Sequence, residues 1–230
     1  MSRTLRALSA LLSYPSAELK QHIGEVRTVL RAEAVLTATL QQRLEPLLRS
    51  FESEDLLDLQ AAYCELFDQS RSLSLHLFEH VHGDSRERGQ AMIDLGQRYL
   101  VHGFAIEGSE LPDFLPLFLE FLSCLPAAEA RDWLSQPAHV LAVLEQRLAK
   151  RGSVYAAIFA ALVALSGAKP DPDAVAELQE RGEFDERKSI DQEWEEAPVD
   201  FSAPLQERGG SGVIARIKAT REALRSVIRG

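Results

Sequence analysis

The 230-residue chain is 46% apolar and carries a net charge of −10, with only two cysteines. That length supports one sizeable buried core, while the acidic balance excludes binding to a nucleic-acid backbone, which needs clustered Lys and Arg to displace counterions. Cys64 and Cys124 sit in apolar helical patterns without a C-x-x-C neighbour, so the expectation is buried reduced thiols rather than a disulfide. The absence of a signal pattern, and of an apolar run near the roughly 20 residues a bilayer crossing needs, predicts a cytoplasmic protein without stable membrane insertion.

Leu5, Leu8 and Leu12 recur at helical spacing and stop at Tyr14-Pro15. Ser16 is placed to cap a second helix carrying Leu19, Ile23, Val26 and Leu30. A third runs from about Val35 through Leu47, with Pro46 expected to kink or end it because proline lacks the backbone donor. Ser53 then reads as the cap of a fourth, which puts Leu56, Leu59, Tyr63, Leu66 and Phe67 on one face. Leu73 to Val81 is a short apolar helix broken by Gly83, and Asp84 with Glu87 forms a capping-box pattern for the next, whose buried stripe is Met92, Leu95 and Tyr99.

After a loop from Gly103 to Gly108, Pro112 suits the first turn of a helix Asp113 to Leu125 that is apolar nearly all round and therefore central to the core. Pro126 and Pro137 each open a further helix, Gly152-Ser153 precedes Val154 to Leu165, and a last short helix ends near Arg181. With no period-2 alternation, the fold class is all-α: a single compact helical bundle of about nine or ten helices spanning residues 1–181. Residues 182–212 form an acidic tail, partly disordered, with eight acidic residues in 183–204 and a glycine-rich joint at 209–212. Residues 213–230 form a basic amphipathic helix with Ile214, Ile217, Leu224 and Ile228 on one face, and packing onto the acidic domain, a partner or a membrane surface are its three open roles.

The stretch Ser74 to Leu95 holds the residues least explained by packing. On a helix, His76 and His80 lie one turn apart with Glu79 beside them, a spacing a transition metal can use. It lacks the H-E-x-x-H order and a second Glu-x-x-His helix, so hydrogen-bonded histidines are the expectation; a metal-dependent helical enzyme using His76 and His80 is the alternative. Arg86 and Arg88 at a helix start can hold a carboxylate or phosphate, against the plainer reading of a solvated helix end. No nucleophile-elbow context surrounds Ser72, Ser74 or Ser85, so no catalytic residue is assigned.

The run from Ser74 to Met92, SLHLFEHVHGDSRERGQAM, closely resembles that of the NarJ-type nitrate reductase assembly chaperones. Tyr63-Cys64-Glu65-Leu66-Phe67-Asp68, Glu110-Leu111-Pro112-Asp113-Phe114-Leu115-Pro116, Leu119-Glu120-Phe121-Leu122 and the tail Trp194 to Phe201 agree with it, so the likeness covers roughly residues 5 to 201. The Pro-x-Asp element is similar to that of the wider redox-enzyme maturation chaperones, many of which carry His where this chain has Phe114. The resemblance implies an all-α, non-enzymatic cytoplasmic chaperone without a cofactor of its own. It implies as partners the catalytic subunit of membrane-bound nitrate reductase, through its N-terminal peptide, and molybdenum cofactor biosynthesis proteins. Its implied task is support of molybdenum cofactor and iron-sulfur cluster insertion, with docking to the membrane subunit delayed meanwhile. Tyr63, Phe67, Leu75, Phe78 and Leu115 are then the candidate groove residues, Glu79, Asp113 and Glu120 the acids facing a basic peptide, and His80 and Arg86 further contacts.

Overall fold

The computed structural model describes residues 1–69, 71–82, 85–106, 108 and 110–181. The expectations for the tail at 182–212, the basic helix at 213–230, and Gly83 and Asp84 fall outside the described residues. Within them the chain is all-α, without a strand: α1 Ser2–Leu12, α2 Ala17–Gln21, α3 Ile23–Ala32, α4 Ala38–Ser53, α5 Leu56–Phe67, a 3-10 turn Arg71–Leu73, α6 Leu77–His82, α7 Glu87–Val101, α8 Leu115–Ser123, α9 Ala127–Ser135, α10 Ala138–Lys150 and α11 Ala156–Ser166. A further helical segment covers 172–181, here α12.

Local chemistry accounts for most boundaries. Ser16 accepts from the Leu19 amide and Thr37 from the Leu40 amide, each satisfying a donor that the first helical turn leaves open. The predicted second helix is divided at His22, which closes α2 and opens α3 with ψ near 11°. Pro46 does not stop α4: it lies mid-helix on the exposed side, where the Gln42 carbonyl that loses its intrahelical partner also faces solvent. Ser53 belongs to α4, donating its hydroxyl to the Arg49 carbonyl, and Asp55 takes the position before α5. Pro126 and Pro137 do open α9 and α10. α11 closes on Gly167 at φ +66, a left-handed conformation that glycine adopts without the steric cost a Cβ brings.

The most deeply buried element is α11, with Ile158, Phe159, Ala161 and Leu162 each 0% exposed and only Val163 and Ala164 reaching towards the surface. Small alanines on one side of it let α10 and α4 approach, while Leu141, Leu144 and Leu44 fill the space between. α8, which the sequence puts at the centre, shares the core but is not surrounded. It packs on α1, where the buried Ser9 hydroxyl donates to the Pro116 carbonyl at 2.7 Å, and leaves Glu120 in solvent. The cysteines are free thiols, but neither is buried as expected: Cys64 is partly exposed on α5, and Cys124, following the last turn of α8, is exposed. No helix among the described residues is long and apolar enough to cross a membrane.

Among the described non-glycine residues, one takes a left-handed backbone conformation. Ala34, exposed directly after α3, has φ +50, the left-handed region in which a Cβ costs roughly 1–2 kcal/mol. The Ala34→Gly variant is expected to be more stable by about 0.5–1 kcal/mol, the strain relief less the extra unfolded-state freedom of glycine. Chemical denaturation of both proteins checks this, and a less stable variant would contradict the strain.

Candidate client-binding groove

Residues 74–76 are extended rather than helical, because their backbone is claimed by a neighbour. His76 pairs antiparallel with Phe114 in an isolated bridge, the Leu77 amide donates to the Asp113 carbonyl at 3.1 Å, and the Leu115 amide donates to the Leu75 carbonyl at 2.8 Å. The same bonds hold Phe114 extended, with ψ 116°, so α8 begins at Leu115 instead of Asp113. Helical spacing of His76 and His80 is thereby removed, and with it the geometric basis of the metal alternative. Among the described residues no group of three or more His, Cys, Asp or Glu side chains is arranged to hold a metal ion.

Asp113 is 0% exposed and is the pivot of this junction. One carboxyl oxygen accepts the Phe78 amide at 3.0 Å, capping the first turn of α6 from another part of the chain. The other is 3.2 Å from His76 Nδ1. His76 lies against the Phe114 ring with centroids 5.3 Å apart, so the imidazole beside Asp113 comes from the facing segment rather than from the position after it. The preceding Pro112 is held as well, its carbonyl accepting the Tyr99 hydroxyl at 2.7 Å.

His80 turns the other way and hydrogen-bonds the Ser74 carbonyl through Nε2 at 2.8 Å, bracing the extended segment against α6. The two imidazoles are driven apart in basicity. The Asp113 hydrogen bond raises His76 above its ordinary value of 6.5, while burial lowers His80 from the same value despite the Ser74 contact. Glu79 is half-buried and paired with Arg88 of α7 at 3.1 Å, and Arg86 is exposed at the start of α7.

Beside this junction lies an open apolar groove of about 530 Å³. Leu77, Phe78 and Val81 of α6 form one wall, Leu95 and Phe118 the floor, Trp133, Pro137, His139 and Val140 the second wall, and Ala174, Glu177, Leu178 and Arg181 of α12 the rim. α12 is fastened there. The nearly buried Arg147 donates to the Ser72 and Leu178 carbonyls, both at 2.6 Å, and Arg181 donates to the Val81 carbonyl at 3.3 Å. Trp133 is backed by Arg98, whose guanidinium carbon is 5.5 Å from the ring centroid.

Of the residues singled out from sequence, only Phe78 lines the groove. Leu75, Leu115, Asp113 and His80 build the junction beneath it. Tyr63 and Phe67 sit apart in an aromatic cluster with Tyr155, the Tyr63 hydroxyl donating to the Leu12 carbonyl, and Glu120 is exposed outside the lining. Trp133, Phe118, Val140 and Leu178, which also line the groove, were not among the candidates named from the sequence. Arg147, a cation three residues past Leu144 on an otherwise apolar face, was the visible irregularity pointing to a clamp.

The fold is shared with a crystal structure of a putative redox enzyme maturation protein from Archaeoglobus fulgidus, at TM-score 0.51 and 22% identity over 73% of this chain and 94% of that one. Residues 33–161 match the family described as nitrate reductase delta subunit. The chain is 45% identical, over 85% of its length and 84% of the relative's, to the nitrate reductase molybdenum cofactor assembly chaperone NarJ of Escherichia coli K12. It is 38% identical to the probable assembly chaperone NarW of the same strain, over 86% of this chain and 83% of that one. The chain therefore belongs to the nitrate reductase delta subunit family, among the NarJ-type assembly chaperones.

Three outcomes follow from the junction. In an NMR titration of the histidine rings, His76 is expected to titrate above 6.5 and His80 below it. By linkage, the stabilisation from His76 is full below pH 6.5 and fades as pH rises through its raised value, whereas His80 opposes folding increasingly as pH falls below 6.5. Asp113→Asn should remove the upward displacement of His76, and an unchanged His76 curve would contradict the contact. Asp113→Ala strands the Phe78 amide and the His76 ring without their acceptor and is expected to destabilise the fold by about 2–4 kcal/mol in urea unfolding.

Proposed function

We propose that the groove bounded by α6, α9, α10 and α12 binds the N-terminal segment of the catalytic subunit of nitrate reductase before that subunit is complete. The observation carrying this reading is the groove itself: an open, mainly apolar channel with aromatic side chains from separate helices at its walls and few charges inside. Such a surface suits the apolar face of an amphipathic peptide helix, which anchors through side chains one turn apart. Its relatives are named as molybdenum cofactor assembly chaperones of nitrate reductase, which supports the choice of client.

Occupancy of the groove keeps the client's N-terminal segment from other partners. On this reading the chaperone holds the subunit in the cytoplasm, supports molybdenum cofactor and iron-sulfur cluster insertion, and delays docking to the membrane subunit. Molybdenum cofactor biosynthesis proteins are the second class of partner. The chain holds no cofactor and performs no chemistry; its contribution is binding energy and exclusion. Phe78 and Trp133 are the anchor-binding residues, and Glu177 is the acid placed to meet a basic residue of the peptide. Asp113, Leu75 and Leu115, at most 3% exposed, shape the wall instead of touching the client. Glu79, His80, Arg86 and Glu120 are secondary contacts at most, and Tyr63 and Phe67 support α5.

Calorimetric titration with a synthetic peptide of the client's N-terminal segment tests the assignment. Phe78→Ala and Trp133→Ala are each expected to weaken binding by about 30-fold, the loss of an interface anchor worth about 2 kcal/mol. Leu57→Ala, at an exposed position of α5 away from the groove, should leave affinity unchanged. Folded groove variants that bind as tightly as the parent would remove this groove from the account.

A further inference from the structure

We propose that His102 is a positioning residue for the groove: bridging α7 and α9, it holds the Trp133 ring in the orientation in which that ring meets the client. The proposal rests on the reading of the groove as the client site. His102 and its partner Glu129 lie outside the groove lining, and Trp133 is the part of their assembly that enters it. Spacing makes the bridge. Arg98 and His102 are one turn apart at the end of α7, and Glu129 and Trp133 are one turn apart on α9, so each helix offers two side chains on one face. They meet as two rungs. His102 pairs with Glu129 at 2.8 Å, and the Arg98 guanidinium carbon stands 5.5 Å from the Trp133 ring centroid. His102 also meets the indole directly, with ring centroids 6.2 Å apart and planes at 81°. Phe121 of α8 stands T-shaped to both rings, 5.5 Å from His102 and 5.7 Å from Trp133 between centroids. The indole is thus held from α7 and α8 rather than by its own helix.

Hydrogen bonding leaves the His102 ring little freedom. Nδ1 donates to the Arg98 carbonyl and Nε2 to a Glu129 carboxyl oxygen, both at 2.8 Å, and the two bonds form together only when the ring carries two protons. The Arg98 carbonyl and then the Glu129 carboxylate accordingly raise its pKa above 6.5. A cation also suits this place, because the last carbonyls of α7 lack helical partners and carry the negative end of its dipole. With both nitrogens engaged, the plane of the imidazole is fixed, and so is the surface it turns to the indole. The Glu129 side chain is 40% exposed, and an ion pair this open to solvent adds little to global stability. Its effect falls on the orientation of the ring beside it.

A double-mutant cycle separates action through Trp133 from any other effect. In calorimetric titration of the full chain with the client's N-terminal peptide, His102→Leu is expected to weaken binding about fivefold, through loss of the contacts that orient an anchor. The same change made in the Trp133→Ala chain should cost nothing further. Glu129→Ala, which cuts the bridge from the other helix, should match His102→Leu without adding to it. His102→Gln places an amide N–H near the position of Nε2 and is expected to restore most of the affinity. A spectroscopic signature accompanies these changes. In the full chain with Trp194→Phe, where Trp133 is the one tryptophan, 5-fluorotryptophan should give a displaced fluorine signal in His102→Leu and Glu129→Ala and a parent-like signal in His102→Gln. Equal weakening by His102→Leu in the parent and Trp133→Ala chains overturns the proposal, as does a parent-like signal and affinity in His102→Leu. If His102→Leu does not fold, Glu129→Ala carries the same comparison by itself. A Trp133→Ala chain that binds the peptide like its parent, while the fluorine signal still follows His102 and Glu129, keeps the bridge and instead rejects the groove as the client site.

Discussion

The architecture of the groove-bearing face depends on one buried carboxyl group. Asp113 has no exposed surface, yet its two oxygens serve the Phe78 amide and the His76 ring, and its backbone carbonyl takes the Leu77 amide. A buried polar side chain is tolerated only when its hydrogen-bonding capacity is used, and here each partner belongs to the segment that must be fixed. Capping α6 from outside its own sequence sets where that helix starts. The start in turn decides which side Leu77, Phe78 and Val81 present. The junction therefore converts a short helix, too brief to be stable alone, into a rigid wall.

The opposite rim is secured by another polar device. Arg147 reaches from α10 to the carbonyls of Ser72 and Leu178, joining the 3-10 turn at one edge of the junction to α12 at the rim of the groove. Val175 packs with Ala142 and Val143 in a small apolar cluster of its own, apart from the main core. α12 is thus attached by few apolar contacts and several hydrogen bonds, which is the construction expected of an element able to adjust to different occupants while the α11-centred core stays fixed.

Much of the fold was legible because its determinants are local. Leucine periodicity, the serine and threonine caps and the prolines before α9 and α10 act over one helical turn, and they mark most helices. The errors lie where long-range bonds override local preference. Residues 74–76 and Asp113-Phe114 carry apolar helical patterns, but a bridge between His76 and Phe114, far apart in sequence, takes up their backbone groups. The same holds for the site. The motif from Ser74 to Met92 contains Phe78 of the proposed groove, whereas Trp133, Phe118 and Leu178 have no distinguishing sequence context and become a surface only when α8, α9 and α12 meet. Tyr63 and Phe67, also named from the motif likeness, lie outside the groove lining and pack in a cluster with Tyr155.

In the proposed function, a helical scaffold offers its client a hydrophobic channel flanked by the Asp113 and Arg147 polar cross-links. That proposal needs no reacting group, because occupying and releasing a client segment draws only on binding energy. Hydrogen exchange of the chain with and without the N-terminal peptide of the nitrate reductase catalytic subunit tests this most directly. The account predicts added protection in α6, α9 and α12 with α5 unchanged; protection confined to α5 and its aromatic cluster, with the groove helices unaffected, would contradict it.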